Sequence, residues 1–134
     1  MSRTTIETQK FYTVDDCKNN PKKLYIFGDN LIHEGCGGQA IIRHCENSFG
    51  IPTKRLPNMN EEAFFSDQPD EIQQTLAHLI ALVTVFETGY FDTLIFPLDG
   101  VGTGRAKLKE KSPIIYNMIS EFFSNRFNLN IMPL

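Results

Sequence analysis

Lys23-Leu24-Tyr25-Ile26-Phe27-Gly28-Asp29-Asn30 is a short apolar run, rich in aromatic and β-branched side chains, that stops abruptly at a glycine. A run of this kind bounded by turn residues marks a buried strand. Thr93-Leu94-Ile95-Phe96-Pro97 repeats the pattern in the second half of the chain. Each run leads directly into a glycine-rich stretch. Between and after them the pattern changes to helical spacing. Ile72, Leu76, Leu79, Ile80, Val83 and Phe86 recur at three- and four-residue steps within Pro69 to Glu87, a helix stopped by Gly89. Ser112-Pro113 opens a last helix with Ile115, Met118, Ile119, Phe122 and Phe123 on its inner face.

The remaining segments are read outward from these anchors. Thr13 caps a short helix that ends before Pro21. Gln39 to Glu46 reads as a helix starting at the glycines and ended by Asn47 to Gly50. Gly50-Ile51-Pro52-Thr53-Lys54 reads as a further strand, with Pro52 placing it at an edge or a strand start. Residues 56–68 read as an irregular excursion carrying an exposed Phe64-Phe65 pair, and Leu129 to Met132 as a final strand. Residues 1–10 are polar and read as loosely held. Strands alternating with helices make this an α/β protein whose sheet is largely parallel and covered on both faces. Right-handed crossovers then place both glycine loops at the carboxyl ends of strands, on one edge of the sheet.

The 134 residues fit one domain, and 41% hydrophobic with 22% charged residues is an ordinary globular composition. A formal net charge of −3 supplies no basic field for gripping extended nucleic acid. There is no apolar run long enough to span a membrane and no apolar leader at the N-terminus. Three cysteines do not make a disulfide framework. The expectation is a cytoplasmic protein with no membrane partner.

The two loops carry the chemistry. The first runs from Gly28 to Ala40 and includes Asp29, Asn30, Gly35, Gly37, Gly38 and Gln39. The second is Asp99-Gly100-Val101-Gly102-Thr103-Gly104-Arg105. Glycine lets a backbone approach a ligand closely, and open amides favour an anion. Thr103 adds a hydroxyl and Arg105 a charged fork. The first loop matches neither a Walker sequence nor the Gly-x-Gly-x-x-Gly dinucleotide spacing. Two such loops after two strands of one sheet predict a pocket for a phosphate-bearing, nucleotide-like ligand. His33, Cys36, His44 and Cys45 do not follow a common zinc spacing, so neither a metal nor a cofactor is expected.

The same residues resemble the macrodomain family, which binds ADP-ribose. The likeness is closest to the branch that removes ADP-ribose from DNA or protein with a lysine. It spans residues 23–134. Asn30, five intervening residues, and then Cys36-Gly37-Gly38-Gln39-Ala40 are similar to that branch's Asn and Gly-x-Gly-x-Ala, with Cys36 at the first glycine. Pro52-Thr53-Lys54-Arg55 is similar to its Pro-Thr-Lys-Arg string. Residues 70–88, 93–97 and 100–104 match its long helix, its strand with proline and its Gly-x-Gly-x-Gly loop. Gly104 stands near the point where some members carry an acid, and the strands that bear the family's adenine-contacting aspartate are not evident.

The resemblance implies a single three-layer α/β/α domain over 1–134 with a mixed, largely parallel sheet. It implies an ADP-ribosylglycohydrolase with Lys54 as nucleophile and Asn30 on a ribose hydroxyl. The expected ligand set is Asp29, Gly35, Gly37, Gly38, Gln39, Ala40, Asp99, Gly100, Val101, Gly102, Thr103, Gly104 and Arg105. The partner would be an ADP-ribose-like nucleotide or an ADP-ribosylated macromolecule. The alternative is a non-catalytic module that sequesters an ADP-ribose-derived or cyclic nucleotide. The residues themselves leave other roles open: Asn30 as a turn former, Asp29 as a cap, Lys54 as a plain counter-charge.

Overall fold

The two apolar runs lie side by side in the middle of a four-stranded sheet. The computed structural model describes residues 4–133. Strand β1 is Thr5–Gln9, β2 is Lys23–Asn30, β3 is Ser48–Lys54 and β4 is Thr93–Pro97. Their spatial order is β1-β4-β2-β3. All pairings are parallel, so the sheet is not mixed. Beyond these pairings, an isolated antiparallel bridge joins Lys54 at the end of β3 to Phe64.

Alternation along the central strands divides the core in two. Leu24, Ile26, Leu94 and Phe96 point to one face and pack against helices α2 (Pro69–Thr88) and α4 (Pro113–Phe127). Tyr25, Phe27 and Ile95 point to the other. There they meet Tyr12, Cys17 of α1 (Val14–Asn19), and Ala40 and Ile42 of a 3-10 turn, Gly38–Ile42. The result is three layers, thick on one side and thin on the other. Each fully buried Phe, Leu or Ile contributes roughly 1.5–3 kcal/mol relative to exposure.

Local chemistry explains the long helices. Pro69 opens α2 behind a Gln68/Glu71 capping box, and Gly89 closes it at φ 69°. Leu79 and Leu82 are its buried apolar residues. Leu76 and Ile80, expected in the inner stripe, are 39% and 54% exposed, because the buried face is turned toward Glu71, Thr75, Leu79 and Leu82. Asp67 caps α4: its carboxylate accepts from the Ile114 and Ile115 amides and from Ser112 Oγ. The short helix α3 (Leu108–Lys111) precedes it.

Four other readings are corrected. The helix expected over Gln39 to Glu46 is a five-residue 3-10 turn, because Arg43 folds back to donate to the Gly35 and Glu34 carbonyls. Residues 5–9 are an edge strand on β4, tied by Thr5 N–H to Asp92 O, rather than loose; residues 1–3 lie outside the described residues. Leu129 to Met132 forms no strand and instead drops Met132 into the core. Phe64 and Phe65 are buried, held inward by the Lys54 bridge. Among the described residues, no helix is long and apolar enough to cross a membrane.

The connections fix where a ligand can sit. The chain moves across the sheet from β1 to β2 to β3 with α1 and the 3-10 turn on the thin side. It returns through α2 on the other side and inserts β4 between β1 and β2. The loops leaving β2 and β4 therefore part to opposite faces, which opens a crevice at the carboxyl ends of the sheet.

Candidate functional site

A cleft of about 440 Å³ occupies that crevice. Of the residues expected in a site, it is lined by Asp29, Asn30, Gly35, Gly37, Gly38, Gln39, Ala40, Lys54, Gly102, Thr103, Gly104 and Arg105. Asp99, Gly100 and Val101 lie outside it. Asp99 is solvent-exposed, the Gly100 carbonyl faces Gln39, and Val101 is fully buried in the core. Gly28 and Glu34 of the first loop and Ala106 at the end of the second also line the cleft; Arg43, Thr53 and Pro57 line it without having been expected, and Thr53 adjoins Lys54 in sequence. Arg43 had no such signal, because only a 3-10 turn cut short at Ile42 brings it across the first loop.

The two loops meet at Gly28. A Cβ placed there would sit 3.5 Å from the Gly102 amide nitrogen, 3.6 Å from Gln39 Oε1 and 3.7 Å from Thr53 Oγ1. Gln39 joins the loops directly: Oε1 accepts from Gly28 N–H at 2.9 Å and Nε2 donates to Gly100 O at 3.0 Å. At Gly102 the backbone has φ +72°, and a Cβ would lie 2.9 Å from Leu108 Cδ2, so only glycine suits this turn. The amides of Gly102, Thr103, Gly104, Arg105 and Ala106 have no hydrogen-bond acceptor among the described residues. Five consecutive open N–H groups beside a cleft make a cradle for an anion.

The first loop is braced from within. Asp29 is buried and takes Arg43 Nη1 at 2.6 Å, His33 Nδ1 at 2.7 Å and the Asn30 amide at 2.7 Å. Asn30 closes the next turn. Its Nδ2 donates to Glu34 O at 2.8 Å, and its Oδ1 accepts from Ile32 N–H at 3.2 Å. This carboxamide is committed to its own loop, while the residue still lines the cleft.

Lys54 reaches the cleft through a register shift. Asp29 pairs with Pro52 but Asn30 pairs with Lys54, a bulge where Pro52 has no N–H to continue the ladder. Leu31 N–H then bonds Lys54 O at 3.0 Å. The Lys54 side chain is buried over the Phe64 ring, 5.1 Å from its centroid, and donates to Asn58 O at 2.5 Å. Burial, and then the Arg105 guanidinium, lower its pKa. No Asp or Glu among the described residues pairs with it, and Arg105 makes no hydrogen bond or ion pair there either. The cleft therefore holds Lys54 and Arg105 without an acidic partner among the described residues, beside a row of open amides, and burial and then Arg105 lower the Lys54 pKa.

Arg55 turns away to Asp70 and Glu71 and is structural. Cys36 is exposed and does not line the cleft, while burial and then the adjacent Cys45 push the Cys17 thiol up to about 12. Among the described residues, no three His, Cys, Asp or Glu side chains are grouped to hold a metal ion.

No curated protein and no solved structure matches the chain. Residues 7–122 match the model of a family described as "Family of unknown function (DUF7831)", and the chain belongs to that family.

Proposed function

We propose that this protein binds ADP-ribose or a closely related nucleotide and hydrolyses an ADP-ribosyl linkage. The observation that carries the reading is Lys54, a buried lysine with a lowered pKa, in one cleft with the open amides of Gly102 to Ala106. The amides and Arg105 would hold phosphate oxygens. A neutral amine is a nucleophile. Nζ would attack C1″ of the ribose as the bond from C1″ to the attached group breaks. The leaving group departs with the bonding pair and takes the proton that Nζ releases. Water then displaces Nζ and returns the amine.

The resemblance of Asn30, Cys36 to Ala40, Pro52 to Arg55 and Gly100 to Gly104 to macrodomain sequences supports the same reading. The other reading, a module that sequesters an ADP-ribose-derived or cyclic nucleotide without chemistry, is favoured by two observations. Gly104 supplies no acid to the second loop, and Lys54 is held on Asn58 O. Calorimetry with ADP-ribose and incubation with ADP-ribosylated DNA or protein separate the two. Wild type releases ADP-ribose and Lys54→Ala does not, although the variant still binds. Equal turnover by both ends the lysine mechanism, binding without turnover by wild type leaves the sequestering module, and no binding at millimolar ligand removes both.

A further inference from the structure

We infer that this cleft recognises the phosphorylated sugar and not the base, so its substrate class is ribose phosphate or diphosphate conjugates of any nucleobase. The inference rests on the proposed binding site and narrows what the site can read. Discrimination of a base needs two things: groups that meet its hydrogen-bonding edge, and a flat apolar surface for its face. The side chains suited to the first task already have partners. The Gln39 carboxamide joins Gly28 to Gly100, and that of Asn30 closes its own turn. Thr53 Oγ1 donates to Asp29 O at 3.2 Å, and Thr103 Oγ1 to Asp99 O at 2.8 Å. Asp29 is held by Arg43 and His33. Turning any of these to a base would leave a backbone group or a charge unpaired, at about 1–3 kcal/mol each.

The second task has no surface. The described lining holds no aromatic residue, and its apolar side chains are Ala40, Pro57 and Ala106, too small to cover a purine. Among the side chains that line the cleft, those left without a carboxylate or carboxamide partner include two cations, Lys54 and Arg105, and beside them lie the five open amides. Donors of this type fit phosphate oxygens and sugar hydroxyls, which every nucleotide shares. Glu34 is the one acid at the cleft without a side-chain bond, and it is exposed to water, where a single hydrogen bond discriminates poorly.

The test is calorimetry of the full chain with ADP-ribose, its guanine and uracil counterparts, ribose 5-phosphate and inorganic pyrophosphate. The three nucleotides bind within about threefold of one another, which is below the tenfold steps that a specific contact produces. Ribose 5-phosphate displaces each of them, and Arg105→Ala weakens all three by a similar factor. A preference for ADP-ribose of about tenfold or more over the guanine and uracil forms overturns the inference while leaving the binding site intact. Loss of that preference in Glu34→Ala would then name the base contact. Failure of ribose 5-phosphate to compete also overturns it. No heat with any of the five ligands instead removes the binding site itself.

Discussion

Asp29 bonds more groups in the first loop than any ligand contact assigned to it would suggest. Its side chain is 4% exposed and that of Arg43 8%, so the pair is shielded from water. Removing one member of such a pair leaves the other charge buried and uncompensated. Asp29→Ala is therefore expected to lower the unfolding free energy by about 3 kcal/mol, read from urea denaturation. Lys54 behaves in the opposite sense. Its folded pKa lies below the ordinary 10.5, so the unfolded chain binds more protons between the two values and stability rises with pH there. Below the folded pKa the charged, buried ammonium opposes folding. Lys54→Met is expected to be at least as stable as wild type at neutral pH, with the gap closing as pH approaches 10.5, measured by thermal denaturation across that range. The sequence showed Lys54 through its Pro-Thr-Lys-Arg string, yet concealed Arg43. A lysine after a strand proline is a local signal; an arginine that turns back over a loop depends on where a helix fails.

Elements were legible in proportion to how far their own residues decide them. α2 carries its start and stop in Pro69 and Gly89, and β2 and β4 are apolar on both faces because both faces are covered. β1 escaped notice because Thr-Ile-Glu-Thr-Gln is polar and mostly exposed; only the β4 edge beside it makes it a strand. Leu129 to Met132 misled for the converse reason, having strand-like residues and no strand to pair with. The 56–68 excursion has a use that periodicity does not reveal. Asp67, at φ 58°, satisfies the start of α4 from outside the helix. Asp67→Ala is expected to cost about 1 kcal/mol, as lost caps do, with Asp67→Asn close to wild type by thermal denaturation.

Across the molecule, the two central strands are paired on both sides and the outer two on one. Amide hydrogen exchange is therefore expected to be slowest in Leu24 to Phe27 and Leu94 to Phe96. The exposed strand Thr5–Gln9 is expected to exchange sooner, by about the difference between local and global opening. Equal protection of all four strands would contradict this order. The cleft itself belongs to this scale, since it was readable as two loops in sequence but exists only where their strands become neighbours. That neighbourhood has a temporal side. Thr5 pairs with Thr93, 88 positions later, so as the chain leaves the ribosome β1 emerges long before β4, its neighbour in the sheet. Closing so long a span is entropically slow, and the last piece to arrive at the sheet, β4, is also the one that brings Gly102 to the rim of Gly28. Nascent chains shorter than this point hold neither a finished sheet nor the cleft between its two loops.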